Sequence, residues 1–238
     1  MPKKNSSQEI CSSIDYFPSF SIFKSLIRKI NKSSLTRALQ NHIIENYNFP
    51  GDLLDFGGGD KSHYRSIINC KSYKSINIDP GIIPTWVVKE DEPFPCPNEK
   101  FDCIFSFNTL EHIFNAHEKF YEFYRVLRPK GEILISTPFL YPVHGHPDDF
   151  FRPTPSWYFE SLKRCGFKRV KVIPLFWGPF STGLTASGTL GPFKNVRKKI
   201  ALLFDFLLIS IKRLKYSKQE IEKIYMPIST AFLIHAIK

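Results

Sequence analysis

From residue 52 onward, short apolar runs alternate with longer mixed segments. Runs of four to seven Leu, Ile, Val and Phe bounded by glycine, proline or polar clusters mark buried strands, and amphipathic stretches between them mark helices. The pattern predicts strands over 52–56, 73–78, 85–88, 101–107, 131–137, 168–173 and 229–237. Helices are expected over 61–69, 115–128 and 155–165, the last closed by Gly166, where a left-handed residue suits a helix end. Such alternation is a βαβ arrangement, an α/β architecture with a mostly parallel, doubly wound sheet. Upstream, a polar lead-in to about residue 18 precedes two helices over 20–31 and 34–47 that should cover one edge of the sheet. Residues 175–226 break the rhythm: they are rich in Gly and Pro through Pro192, then form a basic amphipathic helix and a charged turn. They read as an insertion between the last two strands. The chain thus divides into an N-terminal lead-in with helices, 1–48, and a main domain, 49–238.

Composition narrows the class. With 42% hydrophobic and 15% aromatic residues the chain has enough apolar surface to offset the entropy of ordering, so it folds. Its net charge of +11 favours anionic partners without choosing among phosphate, lipid and nucleic acid. No nucleic-acid module or base-stacking motif is visible, so RNA is not the expected partner. The cysteines Cys11, Cys70, Cys96, Cys103 and Cys165 form no CxxC pair, which fits reduced thiols in a cytosol. No apolar signal region follows the N-terminus, and Ile200–Ile211 carries Asp205 and falls short of the roughly 20 residues that span a bilayer. A cytoplasmic protein is expected. On the helix near 194–215, Phe193, Ile200, Leu203, Phe204 and Leu207 oppose Lys and Arg. This face suits either peripheral contact with anionic lipid at the inner membrane surface or a lid over the active site.

The chemistry begins at Leu53-Leu54-Asp55-Phe56-Gly57-Gly58-Gly59-Asp60, an apolar strand running into a glycine turn where backbone can approach a ligand closely. Asp79 follows 20 positions after Gly59, at the end of the next strand, a placement that suits a carboxylate on ribose hydroxyls. No third glycine completes a dinucleotide fingerprint after Gly59, where Asp60-Lys61-Ser62 follow, and no Gly-Lys-Ser/Thr phosphate loop is present. Gly57 and Asn108, after the first and fourth strands, should flank the crevice where strand order reverses.

These residues resemble the class I S-adenosylmethionine-dependent methyltransferases, in particular the broad type 11 group, over about residues 50–175. Asp55-Phe-Gly57-Gly-Gly59 is similar to their first motif, Glu92-Pro93-Phe94-Pro95 with Phe101-Asp102 to their "LPF…FD" segment, and Leu110-Glu111-His112-Ile113 to their "LEHI". Arg125-Val126-Leu127-Arg128-Pro129-Lys130-Gly131 is similar to their "RVLKPGG" turn. The resemblance implies a seven-stranded Rossmann-like methyltransferase fold with an antiparallel last strand and S-adenosyl-L-methionine as cofactor. It implies that Asp55, Gly57 and Gly59 cradle the methionine end, that Asp79 holds the ribose, and that an acid within Lys89-Glu90-Asp91-Glu92 contacts adenine. Glu90 and Asp91 both qualify, and Asp91 is assigned.

The loop after the fifth strand, Thr137 to Thr154, overhangs the carboxyl ends of the strands, where substrates bind in open α/β sheets. His144, Pro147, Asp149, Arg152 and Thr154 resemble the "HxxPxDxxRxT" loop of bacterial enzymes associated with glycan and surface-polysaccharide synthesis. Methyl transfer to a hydroxyl requires alignment and removal of a proton, and a histidine with an ordinary pKa of about 6.5 suits the second task. His144 is therefore expected as base, Asp149 as its orienting or substrate-binding acid, and Arg152 as the holder of an anionic group or pin of the loop. The His144-Gly145-His146 pair with the adjacent Asp carries metal-ligand chemistry, but the sequence does not show three or four converging ligands, and no metal site is expected. His112 reads as a packing residue. The function these residues imply is O-methylation of a sugar hydroxyl on a glycan precursor, free or lipid-linked. A quinone-like aromatic acceptor is the alternative, and RNA a more distant one.

Overall fold

The computed structural model describes residues 16–145 and 148–238. Most of the polar lead-in, with Cys11, and the loop residues His146 and Pro147 lie outside the described residues. Two N-terminal helices, α1 (Phe20–Lys29) and α2 (Leu35–Glu45), each start at a serine whose hydroxyl accepts from the backbone three residues on, Ser19 from Ile22 and Ser34 from Arg37. Strands β1 (Asp52–Phe56), β2 (Ser72–Asn77), β3 (Trp86–Val87) and β4 (Phe101–Phe107) follow. Then come α3 (Ala116–Val126), β5 (Leu127–Pro138), α4 (Pro155–Arg164) and β6 (Lys168–Leu175). Helices α5 (Pro179–Ala186), α6 (Lys194–Lys212) and α7 (Lys218–Tyr225) precede the final strand β7 (Ala231–Ile237).

The strands form one sheet in the order β3-β2-β1-β4-β5-β7-β6. All pairs out to β5 are parallel, and β7 runs antiparallel to both β5 and β6. Both faces are covered, which is why β4 reads as an almost unbroken apolar run. Its side chains still alternate: Cys103, Phe105 and Phe107 join one core with β1 residue Leu53, and Ile104 joins the other with Leu54 and Phe56. A register shift between Phe101 and Cys103 sends Phe101 to the side of Ile104. Helices α3 and α4 cover that side through Phe120, Phe123, Tyr158 and Leu162.

The first core is roofed by α1, α2 and the 175–226 segment, with Leu26, Leu39, Trp177, Leu202 and Ile209 against Leu53 and Phe105. The N-terminal helices therefore lie on a face of the sheet rather than on the expected edge, because the apolar stripes of both helices meet the strand residues of β1 and β4. Asp205, which interrupts the longest apolar stretch, is fully buried and accepts from the backbone N–H of Phe180 (3.0 Å) and Ser181 (2.7 Å), closing the start of α5. Among the described residues, no helix is long and apolar enough to cross a membrane.

One expected helix is largely absent. Over 61–69 there is a single 3₁₀ turn, Arg65–Ile67. The N–H groups of Asp60 and Lys61 donate to Ile83 O (3.1 Å) and Ile82 O (3.0 Å), so the chain after the glycines is tied to the turn after β2 instead of winding into helix. That tie joins the two loops that shape the site.

Candidate active site

A hollow of about 970 Å³ opens at the carboxyl ends of β1, β2 and β4, where strand order reverses between β1 and β4. Gly57, Asp79 and Asn108 line it, as the strand ends predict. Gly57 is left-handed (φ +94°), and a Cβ there would fall 1.9 Å from Thr109 Oγ1. Its N–H donates to Ile76 O (2.8 Å) and its carbonyl accepts from Asn77 Nδ2 (2.6 Å), so the turn is fixed from below. Asp79 caps the 3₁₀ turn Pro80–Ile82 by accepting from Gly81 N–H (2.7 Å), which holds its carboxylate at the wall. Asn108, also left-handed (φ +54°), exchanges amide hydrogen bonds with buried Gln40 of α2, each 3.0 Å, and Gln40 in turn donates to Ser136 Oγ. Gln40, 68 residues from Asn108, carries no motif that a sequence reading could use.

Three predicted contacts sit differently. Asp55 does not line the hollow; it is fully buried beneath the glycine loop and accepts from Tyr73 Oη (2.6 Å) and Tyr64 Oη (3.3 Å). A Cβ on Gly58 would meet its carboxylate at 1.8 Å, so the acid is the floor on which the loop rests. Gly59 is packed against the Ile82 carbonyl, where a Cβ would fall at 2.4 Å. Asp91 is exposed and away from the lining, and Glu90 takes the place on the wall, with Oε1 accepting from Phe114 N–H (3.1 Å).

At the opposite rim stands His144. Its backbone N–H donates to Asp149 Oδ2 (2.8 Å), and its Nδ1 lies 3.2 Å from Pro142 O and 3.3 Å from Asp149 Oδ2. Arg152 grips both oxygens of Asp149 and donates to Pro142 O (3.2 Å). This guanidinium, with the His144 N–H, holds the Asp149 carboxyl down to about 2, against the cost of burial. Asp149 and Arg152 stand behind His144 and not on the lining, so the structure makes them its brace. Thr154 is structural: its hydroxyl accepts from Trp157 N–H and starts α4. Beside His144 lies the 3₁₀ turn Leu110–His112. His112 lines the hollow, its ring 5.2 Å from that of His144, and Glu111 beneath it is fully buried, which pushes its carboxyl up to about 8. No residue of 175–226 lines the hollow.

Comparison with known proteins now bears on the site. The "Methyltransferase domain" family model matches residues 23–168, well over half of the chain. The chain belongs to the methyltransferase-domain family. A tRNA U34 carboxymethyltransferase from Hydrogenovibrio crunogenus is 23% identical over 153 residues, covering 52% of this chain and 46% of that protein. Among solved structures, phosphoethanolamine N-methyltransferase 2 of Haemonchus contortus, in complex with S-adenosyl-L-methionine, superposes with a TM-score of 0.52 at 16% identity, covering 84% of this chain and 52% of the other. A SAM-dependent methyltransferase from Archaeoglobus fulgidus gives a TM-score of 0.52 at 13% identity, covering 93% and 100%. The chain spans about half the length of the curated relative and of the Haemonchus enzyme.

The residues present fit S-adenosylmethionine. The methyltransferase domain offers a glycine turn that lines the hollow at Gly57, carboxylates at Asp79 and Glu90, and Asn108 fixed by its bonds to Gln40.

Asp55 makes the cradle pH-sensitive. Burial raises its carboxyl from 3.8 to about 7, with the two tyrosine hydroxyls pulling the other way. Between these values the unfolded chain releases this proton and the folded one keeps it, so stability falls as pH rises from about 4 and levels off above about 7. At about 1.4 kcal/mol per unit the loss is up to about 4 kcal/mol. Asp55→Asn removes that slope. Urea unfolding at about pH 4 and about pH 8 should therefore show the variant gaining on the wild type by a few kcal/mol at the higher pH, and an unchanged difference would refute the assignment.

Proposed function

We propose that this methyltransferase transfers a methyl group to a sugar hydroxyl of a glycan or surface-polysaccharide precursor. The observation that carries this reading is His144, braced by Asp149 and Arg152, facing the cofactor hollow from the loop that overhangs the strand ends. S-adenosylmethionine supplies an activated methyl on a positively charged sulfur, so the protein's task is to align the acceptor oxygen and strip its proton. His144 lines the hollow and is the group proposed to meet that oxygen. The pattern His144, Asp149, Arg152, Thr154 is the one that resembles glycan-linked enzymes.

Labelled S-adenosylmethionine, incubated with the purified protein and separate panels of sugar nucleotides, glycolipids, quinones and tRNA, tests this. The label is expected on a sugar oxygen. A methyl group on a quinone would favour the aromatic acceptor, and one on tRNA would follow the Hydrogenovibrio relative and the +11 charge; either overturns the sugar reading.

We infer further that the acceptor is met at a membrane surface. Phe193, Val196, Ile200, Leu203, Leu207, Ile211 and Leu214 share one exposed stripe along and just beyond α6, at i, i+3/i+4 spacing, among Lys and Arg. The protein should float with vesicles containing anionic lipid, and Leu203→Glu with Leu207→Glu should abolish flotation. Wild-type protein left at the bottom of the gradient would remove the membrane reading.

A further inference from the structure

We propose that Glu111, His112 and His144 form a binding site for a divalent transition-metal ion on the acceptor side of the hollow. Each of the three offers one ligand atom, and these atoms lie within 4.8 Å of one another. Bonds of about 2.1 Å to a shared ion require ligand atoms roughly 3 to 4 Å apart, so a modest closing of the three side chains completes the set.

Glu111 carries the argument. Its side chain is wholly buried, and among the described residues no other residue donates a hydrogen bond to either carboxylate oxygen, although a carboxylate without a partner in the interior is costly. The turn that places it is not accidental strain relief, since the Glu111 carbonyl is itself engaged by Phe150 N–H (2.9 Å). That bond ties the turn to the His144 loop. Glu111 Oε1 lies 3.7 Å from His112 Nε2.

Both histidines are arranged as ligands are. Nδ1 of His112 is engaged by Asp148 O, and Nδ1 of His144 by Pro142 O with Asp149 Oδ2 alongside. A histidine that donates one ring nitrogen to a carbonyl or carboxylate has its tautomer fixed and presents the other nitrogen for ligation. Two imidazoles and one carboxylate suit ions of the Mn, Fe, Co and Zn group, and three protein ligands leave open positions, as in catalytic rather than structural sites. His112 and His144 both line the hollow, so the open positions face the space an acceptor occupies.

This inference rests on the methyl-transfer reading and deepens one step of it. An ion held by these three residues would stabilise the alkoxide of an acceptor hydroxyl bound to it, so that the hydroxyl would give its proton to solvent more readily. His144 then serves as ligand, with Asp149 and Arg152 as its brace.

The test is titration of chelator-treated full-length protein with Co²⁺ alone, read by visible absorption and calorimetry, beside calorimetry of S-adenosylhomocysteine binding. One Co²⁺ per chain is expected. Glu111→Gln and His144→Ala should each weaken its uptake at least about a hundredfold while keeping S-adenosylhomocysteine affinity. Should either variant prove unfolded by its loss of S-adenosylhomocysteine binding, His112→Asn takes its place under the same criterion. Wild-type protein that binds S-adenosylhomocysteine but takes up no Co²⁺, or uptake undiminished in any of these folded variants, overturns the site. Stoichiometric Co²⁺ uptake without S-adenosylhomocysteine binding would instead leave the metal site standing and remove the methyl-transfer reading.

Discussion

Gly57→Ala is expected to weaken S-adenosylhomocysteine binding about a hundredfold. Two costs combine. Gly57 holds φ +94°, where an L side chain crowds its own backbone, at about 1 to 2 kcal/mol. The added Cβ would also lie 1.9 Å from Thr109 Oγ1 and 2.4 Å from its Cγ2, so either Thr109 or the turn must give way, at about 1 to 3 kcal/mol. A total near 3 kcal/mol corresponds to two powers of ten in affinity. Because Gly57 also bonds to β2 through its N–H and carbonyl, relaxation moves the wall that carries Asp79. Removing the opposing side chain separates the two costs: Gly57→Ala with Thr109→Gly should recover about half of the lost free energy. Calorimetry showing wild-type affinity in Gly57→Ala would mean that this turn does not cradle the ligand.

The parts of this site that the sequence announces are those whose geometry is local. β1 and β4 appear at the expected residues because continuous apolar runs of that length fit strands covered on both faces. Gly57, Asp79 and Asn108 follow, since the ends of strands at a topological switch point must face the crevice. Where tertiary hydrogen bonds compete with local propensity, the reading fails. The 61–69 segment has helical composition, yet its first donors are taken by Ile82 and Ile83, contacts that no short-range pattern encodes. Asp55 and Glu90 illustrate the same limit, for an acid in a motif can point at the ligand or support the loop that does. Parity along β1 decides the case of Asp55: Leu54 and Phe56 face the α3–α4 side, so Asp55 faces the other, between Tyr64 and Tyr73. Glu111 was the least legible. Its burial goes with contacts far along the chain, among them Phe150 N–H on its carbonyl, which no short-range pattern encodes.

His144→Ala is expected to lower turnover between about a hundredfold and ten-thousandfold, the range for removing a group that manages a proton in the transition state. S-adenosylhomocysteine affinity should stay within a few-fold of wild type, since Gly57, Asp79 and Asn108 are held by bonds that do not involve the loop. Asp149→Ala should approach the same turnover by a different route. Without its carboxylate, His144 loses the partner of its N–H and Nδ1, and Arg152 is left part-buried with its main counterion gone. The two losses should not add, because the double variant removes one unit twice. Restoring divalent ion separates the roles of the ring. If His144 is a ligand, raising Co²⁺ recovers part of the turnover of His144→Ala, as Glu111 and His112 still hold the ion weakly; if it is a base, added ion does nothing, and small imidazoles supplied in solution recover the rate instead. Full turnover in His144→Ala at ordinary ion concentration would exclude both roles and move the chemistry elsewhere on the rim.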